Sequence, residues 1–444
     1  MAASGLQRRL SLGDLVVYGL LFIGPLAPVG VFGVLDAQAD GAVALVYLVA
    51  TVAMAFTAWS YAEMSRVVPH AGSVFAYATA GLGGIAGFAA GWLAMLDYLL
   101  IPSVAYLFSG IAMHALVPAV PAWVFTAVAF VATTILNLRG VAVAARVGFV
   151  VLLLEVGALV VFLGVALVVL AADGPSRPWT SPLVGLSTVD SAMVLRGVSI
   201  AVLSFLGFDA IASFAEENAG EARQVGRAIL LCLAAAGLAF VAQTALAALV
   251  STVSPAALRT TPARQGTAFY DVTRVALGGW LATLIAVTKA IGPAFAAMTA
   301  QAAAARLLLG MARDGRLPAV LADVDAQRGV PVAALVSTGA LTLAVSVWAA
   351  RQPDGLAVLV SIVDVGALAA FALLHASVVG YFVVRGGSRR WIGHALAPLA
   401  GAVVTVWVLA SASPTAQAVG LGWAVVGAVV LAANRAGRGA TTAE

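Results

Sequence analysis

Twelve long apolar runs constrain this chain more than any other feature of its sequence. A helix that crosses the hydrocarbon core of a bilayer needs about 20 apolar residues. Closed β-barrels also cross bilayers, but their short alternating segments do not occur here. The sequence therefore predicts an all-α integral membrane protein, one transmembrane domain over 1–444. Its twelve transmembrane helices would lie at about 12–35, 41–64, 84–114, 120–138, 142–172, 191–214, 226–250, 277–308, 331–349, 355–383, 391–411 and 416–434.

The composition agrees, because 63% of residues are apolar and only 9% are charged, against about a quarter in soluble domains. Sixteen of the 23 basic residues fall at the N-terminus and in loops on its side, six fall on the opposite side, and one lies inside an apolar run. Since basic loops stay in the cytoplasm, we expect both termini there. The net charge of +4 then indicates no nucleic-acid partner. The ratio of 22 Arg to one Lys is typical of GC-rich coding, which favours a bacterial cytoplasmic membrane.

Several classes of activity are excluded by residue types and spacing. The single lysine, Lys289, does not belong to a Gly-Lys-Ser/Thr phosphate loop, which excludes ATP-driven transport on this chain. The four histidines lack partners at metal-ligand spacing, and no nucleophile motif is present. Cys232 is the only cysteine, so an intrachain disulfide is excluded. We expect no enzyme, cofactor or metal, and instead the passage of a solute through the helices.

Two of the apolar runs are interrupted at comparable places, about 180 residues apart. The first run contains Gly24-Pro25-Leu26-Ala27-Pro28, and the second contains Gly207-Phe208-Asp209. Glycine and proline are common in membrane helices, so two unrelated kinks are the alternative. Paired interruptions in the two halves favour a secondary transporter with a site at mid-membrane. We expect two inverted repeats, about 11–172 and about 191–384, followed by two helices at about 391–434.

Six stretches carry a resemblance that runs nearly end to end. They are "GPLAPVGVFG", "YAEMSRVVPHAGSVFAYATAGLGGIAGFAAGWLAMLDYLL", "NLRGV", "SFLGFDAIASFAEENAGEARQVGRAI", "AARLLLGMARDGRLP" and "GALAAF". The chain resembles the amino acid–polyamine–organocation (APC) superfamily with the leucine-transporter type of fold, and especially its bacterial putrescine importers. The resemblance implies five-plus-five inverted repeats, and alternating access by a bundle of spans 1, 2, 6 and 7 rocking against the rest.

The resemblance implies that substrate binds between the two interruptions. Pro25 and Pro28 cannot donate to the carbonyls of Leu21 and Gly24, so the first interruption is expected to offer acceptors that suit an ammonium group. A carboxylate held by the Gly30 N–H and the second interruption is the alternative. The expected substrate-binding residues are Ile23, Gly24, Pro25, Ala27, Pro28, Asp97, Tyr98, Ser204, Phe205, Gly207, Phe208 and Asp209.

Two of these carboxylates have alternative interpretations. Asp97 either contacts substrate, with Tyr98 offering an aromatic face for a cation, or bonds helix ends within the bundle. Asp209 either binds an amine or caps the half-helix that begins at Ala210.

Three further ionisable residues fall within apolar runs and are candidates for proton coupling. Charges at that depth normally face a cavity or a partner. The resemblance implies that Glu155 occupies a position where amino acid transporters of the superfamily often have lysine. Burial disfavours the ionised carboxylate, so Glu155 is a proton-coupling candidate. Lys289 lies at similar depth, and an ion pair with Glu155 would instead make the role of Glu155 structural. Asp364 is a second proton-site candidate, or it indicates a different substrate.

Residues at the helix ends are expected to cap helices and to form gating salt bridges rather than to touch substrate. Phe22, Phe32, Phe205 and Phe208 flank the interruptions and are candidate gates. The end-of-helix set is Glu63, Pro69, Gly72, Glu216, Glu217 and 313–315.

The sequence thus predicts a permease that imports a small organic amine, putrescine or a similar polyamine, by proton symport across the bacterial cytoplasmic membrane. Its partners would be that substrate, protons and membrane lipid. A proton-coupled amino acid importer, or an exchanger of amino acids or amines, is the alternative within the superfamily. Two alternatives of other classes are an amine sensor that moves no solute, and a channel.

Overall fold

The computed structural model describes residues 10–68, 73–138, 141–187, 189–315, 317–325, 329–352 and 355–441, without the side chains of 115, 141–147, 213, 216, 263, 357, 361 and 433–441. Over these ranges the regular structure is helical. The α-helices are α1 (Leu12–Ile23), α2 (Phe32–Gln38), α3 (Val43–Val67), α4 (Ser73–Leu82), α5 (Gly84–Leu116), α6 (Ala122–Leu138), α7 (Val141–Asp173), α8 (Ser181–Val184), α9 (Ser191–Ala201), α10 (Arg223–Val250), α11 (Pro255–Thr260), α12 (Ala268–Ala276), α13 (Gly279–Arg313), α14 (Val332–Ala349), α15 (Gly355–Val378), α16 (Ala397–Ala410) and α17 (Pro414–Thr441).

Within the described ranges, ten helical segments are long and apolar enough to cross a membrane. The runs predicted at 120–138 and 191–214 form shorter helices: α6 has 17 residues, and α9 passes into a 3₁₀ segment, Val202–Phe205. The all-helical membrane fold is therefore confirmed, whereas the count of twelve spans and the repeat architecture stay predictions. Large apolar side chains such as Val150, Val160 and Val168 point outward from α7, as expected of a surface that faces lipid.

Both interruptions are present in the structure. After α1 ends, Gly24 has φ 74°, and the chain passes through a 3₁₀ turn at Ala27–Gly30 before α2 begins. After α9, Gly207 has φ 121° and precedes a second 3₁₀ segment, Asp209–Glu217. Glycine is the residue that reaches such positive φ values at little cost. The two glycines therefore fix where α-helical geometry is lost.

Two long helices form the centre of the bundle. α5 has 33 residues and α13 has 35, so each spans about 50 Å at 1.5 Å per residue. They pack against each other along much of their length, while α15 packs on α5 and α10 packs on α3. The two interruptions lie against these central helices.

The bundle has two ends, and we call the end where α1 starts the N-terminal face. There Leu10 pairs by backbone hydrogen bonds with the segment around Asn218. Beside this pair, Glu217 accepts from Arg306 at 3.1 Å, and both side chains are nearly buried. Glu63 lies on the same face within 4 Å of three basic side chains, those of Arg66, Arg390 and His394.

These contacts confirm ion pairing for Glu63 and Glu217 at helix ends. Pro69 and Gly72 lie outside the described residues, as does the side chain of Glu216.

The opposite face has its own ion pairs, at the end of α2. Arg177 donates to both carboxylate oxygens of Asp36, at 2.7 and 2.8 Å, and the pair is buried. Arg259 pairs with Asp40 and also donates to the carbonyl of Ala37 at 2.8 Å. Because a bidentate guanidinium pair is geometrically demanding, these contacts tie α2 firmly to the loops around it.

Candidate functional site

A cavity of about 70 Å³ lies between the two interruptions, large enough for several water molecules or part of a small solute. Six of the predicted substrate-binding and proton-coupling residues line it: Ile23, Gly24 and Ala27 at the first interruption, Ser204 just before the second, and Glu155 and Lys289 from α7 and α13. The other lining residues are mostly apolar: Phe22, Ile101, Val104, Ala105, Phe108, Leu203, Leu206, Pro293 and Ala296.

The first interruption has fewer free acceptors than its prolines predict. The N–H of Ala27 donates to the Gly24 carbonyl at 2.8 Å, so the prediction of an unpaired carbonyl at Gly24 is wrong. The 3₁₀ turn supplies this donor because it tightens the chain. The Gln243 amide of α10 donates to the Pro25 carbonyl at 3.0 Å. Among the described residues, no donor outside α1 reaches the Leu21 carbonyl.

The second interruption touches the end of α1 directly. A Cβ on Gly207 would overlap the ring of Phe22, so this glycine is required for the close approach as well as for its φ. Phe205 and Phe208 turn away from the cavity. Phe205 packs on the Tyr47 and Phe240 rings, with centroids 6.2 and 5.0 Å away.

Phe208 instead packs on Tyr61 and Phe371, with ring centroids 6.1 Å away in both cases. Phe32 lies edge-on to Phe269 at 5.5 Å. Of the four candidate gates, Phe22 is the one that lines the cavity. Pro25 and Pro28, from the predicted binding set, do not line it.

Glu155 projects from α7 into the gap between the first interruption and α13. A Cβ on Gly292 would overlap its carboxylate, and a Cβ on Gly24 would lie 3.5 Å from its Oε2. The backbone amide of Leu26 lies near the carboxylate. Oε2 itself is buried and has no hydrogen-bond partner among the described residues. Two glycines thus make room for a carboxylate at the point where the first helix is broken.

Lys289 lines the same cavity but does not form a close ion pair with Glu155. The two side chains interact electrostatically, yet no contact of 4.0 Å or less joins them in the described structure. The ammonium group lies 5.4 Å from the centroid of the Phe108 ring, which suits a cation–π contact. Glu155 and Lys289 are therefore both buried and line one small cavity without pairing directly.

Three more carboxylates form a second group, which we call the acidic cluster: Asp97, Asp209 and Asp364. Asp209 is the best hydrogen-bonded of the three carboxylates. Its Oδ2 accepts from the Tyr98 hydroxyl at 2.7 Å, and its Oδ1 accepts from the Gly207 N–H at 3.1 Å. This carboxylate therefore ties α5 to the second interruption.

Asp97 and Asp364 meet where α15 crosses α5. A Cβ on Gly366 would lie 3.0 Å from the Asp97 backbone nitrogen, which shows how close the two helices are. Asp97 lies near enough to both Asp209 and Asp364 to feel their charges. One oxygen of Asp97 and one of Asp364 are buried without a hydrogen-bond partner in the described structure. The cluster thus has acceptors to spare and no described basic side chain within 4.0 Å.

The acidic cluster adjoins the cavity without lining it. Asp97 lies one helical turn before Ile101 on α5, and Asp209 is bonded to the residue that follows Leu206. Ile101 and Leu206 both line the cavity. A polar route from cavity to cluster would therefore need a shift at these apolar side chains.

Three residues that shape the site were not predicted: Phe108, Gln243 and Gly292. Gly292 had a signal in the sequence, since it stands in "KAIGPAF" as a Gly-Pro pair inside an apolar run. Phe108 and Gln243 had none, because an aromatic or an amide in a membrane helix contacts its partner only through tertiary packing.

Comparison with known proteins identifies the family to which the chain belongs. A family model described as amino acid permease matches residues 15–433. The chain is 28% identical over 440 residues to the low-affinity putrescine importer PlaP of Escherichia coli (strain K12), over 96% of this chain and 93% of that protein. It is 28% identical over 399 residues to the branched-chain amino acid permease BcaP of Bacillus subtilis (strain 168), over 84% and 81% of the two chains.

A third relative is the gamma-aminobutyric acid permease of Escherichia coli (strain K12), 26% identical over 340 residues, which cover 75% of this chain and 70% of that protein. These proteins are named as importers or permeases, so the chain is a transporter and not an enzyme. Because the family model covers nearly its whole length, the chain belongs to the amino acid permease family of the APC superfamily.

Proposed function

We propose that this permease imports a small organic amine, with putrescine or a similar polyamine as the first candidate, by proton symport across a bacterial cytoplasmic membrane. The observation that carries the proposal is the acidic cluster. Asp97, Asp209 and Asp364 are buried together with two unpartnered carboxylate oxygens. Ionised carboxylates in a dry interior repel one another strongly and need cations or protons. An organic ammonium group supplies both the charge and the hydrogen-bond donors.

A diamine fits the arrangement of the two charge groups. One ammonium group would bind Asp97 and Asp209 after the Tyr98 hydroxyl moves aside, and the methylene chain would pass the apolar wall at Ile101 and Leu206. The second ammonium group would stay in the cavity beside Ser204. The similarity to a putrescine importer over 93% of that protein's length supports this choice.

The proposed architecture follows the family pattern. It has twelve spans with both termini in the cytoplasm, two inverted five-helix repeats and two further helices. The N-terminal face would then be the cytoplasmic face, opened by release of the Glu217–Arg306 pair. The opposite face would open by release of the Asp36–Arg177 pair. Both pairs are formed in this structure, which suits a state closed at both ends.

Proton coupling is assigned to Glu155. Its carboxylate lies against Gly24 at the first interruption and against Gly292 of α13, so its charge affects how closely α7, α13 and the first interruption can pack. A proton taken from outside would neutralise the carboxylate, and its loss on the inside would restore the charge. Lys289 in the same cavity would stabilise the charged form. Asp364 remains a second candidate for a proton site.

Lys289 also favours a second candidate function, the import of an amino acid. A cation and a carboxylate that share one cavity without pairing complement a zwitterion, with the substrate carboxylate at Lys289 and its ammonium group at Glu155. The similarity to a branched-chain amino acid permease and to a gamma-aminobutyric acid permease supports this alternative.

Uptake into proteoliposomes distinguishes the two. The purified chain is reconstituted, and labelled putrescine, leucine and gamma-aminobutyrate are offered with and without an inward proton gradient. We expect gradient-driven accumulation of putrescine and competition by other diamines. Competition by amino acids alone would overturn the amine proposal in favour of the second function. Binding of a ligand with no uptake of any solute would overturn transport itself.

A further inference from the structure

A groove of about 790 Å³ runs along the outer surface between α3 and the segment that leads into α16. The α3 wall is Val52, Ala55, Phe56 and Trp59, and the facing wall runs from Arg389 to Gly393. Its wall and floor are mainly apolar, whereas its rim carries two arginines. The groove is separate from the cavity between the interruptions and shares no residue with it.

The apolar wall is one continuous face of α3. Positions 52, 55, 56 and 59 follow helical spacing, so their side chains lie in one row about 10 Å long. Val52 is 53% exposed, and Ala55 is also exposed. Because α3 ends on the N-terminal face, this row runs from near that face toward the middle of the membrane. The length and direction match the first part of an acyl chain.

The charged rim lies at the end of the groove nearest the N-terminal face. Arg389 and Arg390 are both exposed. Arg389 forms no hydrogen bond or ion pair in the described structure. Arg390 has a long contact with Glu63, 3.6 Å, and its side chain stays 57% exposed. Two guanidinium groups with this much free surface have donors available for an anion.

The rim is held in place before any ligand arrives. The Ser388 N–H donates to the Phe382 carbonyl at 2.8 Å, and the Ser388 hydroxyl lies 2.7 Å from His394 Nδ1. On the other wall, the Trp59 indole N–H donates to the Gly393 carbonyl at 2.9 Å. These bonds fix both walls, so ligand binding would cost little ordering of the loop.

We propose that this groove binds an anionic glycerophospholipid, with its phosphate at Arg389 and Arg390 and an acyl chain along α3. Basic side chains beside membrane helices attract acidic headgroups, and Trp391 at the rim, 60% exposed, suits the headgroup level. A free phosphate would leave the apolar wall unused, and a neutral lipid would leave the two arginines unused. An anionic lipid satisfies both parts of the groove.

Lipid binding would also reach the N-terminal face. A phosphate at Arg390 would draw its guanidinium from Glu63, which would remain paired with Arg66 and close to His394. The lipid would thereby alter the ion pairs at the end of α3 without touching the cavity.

Native mass spectrometry of the delipidated, purified full chain tests the proposal, with phosphatidylglycerol or phosphatidylcholine added as the probe. We expect the wild-type chain to retain phosphatidylglycerol preferentially. Since each basic residue near an acidic headgroup contributes about 1 kcal/mol, Arg389→Gln should lower that preference about five-fold. Arg389→Lys should restore it, because a point charge is enough for a phosphate.

Two further variants distinguish the contribution of the headgroup contact from that of the apolar wall of the groove. Arg274→Gln removes an exposed arginine of α12 outside the groove and should leave the preference unchanged. Ala55→Trp should fill the apolar wall and lower retention of both lipids, with a thermal melt confirming that the variant folds. Equal retention of both lipids by the wild-type chain, or equal losses with Arg389→Gln and Arg274→Gln, would overturn the proposal. Both outcomes are independent of transport, so they do not bear on the proposed function.

Discussion

The two buried charge groups of this permease differ in the signs of their charges and in their access to the cavity. Glu155 and Lys289 are of opposite sign and line the cavity between the interruptions. Asp97, Asp209 and Asp364 are of one sign, lie behind the cavity wall and retain two unpartnered oxygens. The first group can balance its own charge, whereas the second needs a proton or a bound cation. We therefore propose that the Glu155–Lys289 group serves proton coupling and that the acidic cluster serves recognition of a cationic substrate.

The largest effect is expected from replacing the glycine that admits the Glu155 carboxylate. In Gly292→Ala, the added Cβ would overlap that carboxylate and force it out of the gap beside Gly24. Since displacement of a functional group by about 1 Å can cost about 100-fold in rate, we expect uptake and exchange to fall by about that factor. Radiolabelled putrescine uptake in proteoliposomes measures it.

The matched control for this substitution is Gly157→Ala on α7. A Cβ there meets nothing within 4 Å, so transport should stay at the wild-type rate. Equal transport by Gly292→Ala and Gly157→Ala would show that the position of the Glu155 carboxylate does not matter for transport. The role proposed for the Glu155–Lys289 group would then be wrong.

The interruptions themselves could be predicted from the sequence, because Gly24, Pro25 and Gly207 are local signals that act on their own stretch of chain. Glu155 and Lys289 could likewise be placed at similar depth by counting residues along helices. Their common cavity could not be predicted, because the face that each helix turns inward depends on packing between α7 and α13.

Hydrogen bonding at the first interruption also depends on tertiary contacts that the local sequence does not reveal. Pro25 and Pro28 correctly predict lost donors, yet Ala27 supplies a replacement at the Gly24 carbonyl, and Gln243 donates to the carbonyl of Pro25 itself. Gln243 lies 218 positions after Pro25, so no local pattern could reveal it. The sequence also could not show that Asp97 lies one helical turn from the cavity-lining Ile101 and does not line the cavity itself. Which turn of a helix borders a cavity is a tertiary property.

The second largest effect is expected from Glu155→Gln, which removes the coupling charge and keeps the volume. Accumulation driven by an inward proton gradient should be abolished, while exchange of putrescine across the membrane should continue. In the wild-type chain, accumulation should fall as the external pH is raised toward the internal pH, because the proton must be bound from outside. Counterflow and gradient-driven uptake assays, run on the same vesicles, separate the two modes.

The corresponding control is Glu155→Asp, which retains a carboxylate and should keep part of the gradient response. If Glu155→Gln accumulated putrescine as well as the wild-type chain does, proton coupling would have to be assigned elsewhere, with Asp364 as the next candidate.

A smaller effect is expected in the acidic cluster. Asp97→Asn should weaken putrescine binding about ten- to thirty-fold, because a hydrogen bond to a charged group contributes about 1.5–3 kcal/mol and part of that remains with the amide. Binding of leucine should be unchanged. Scintillation proximity assays on the purified variant measure both. Equal losses of affinity for putrescine and leucine would assign Asp97 a structural role. The proposal that the acidic cluster recognises the amine would then be wrong.

The smallest effect is expected from Tyr98→Phe, and its sign is opposite. The Tyr98 hydroxyl donates to Asp209 Oδ2 at 2.7 Å and therefore occupies an acceptor that the proposed ammonium group needs. Phenylalanine keeps the ring and frees the oxygen. Because the ammonium group then no longer has to displace the hydroxyl, and the net contribution of one hydrogen bond is small, we expect putrescine affinity to rise about three-fold. A fall in affinity would instead make the hydroxyl part of the binding site, and Asp209 would then be held by Tyr98 as a structural link between α5 and the second interruption.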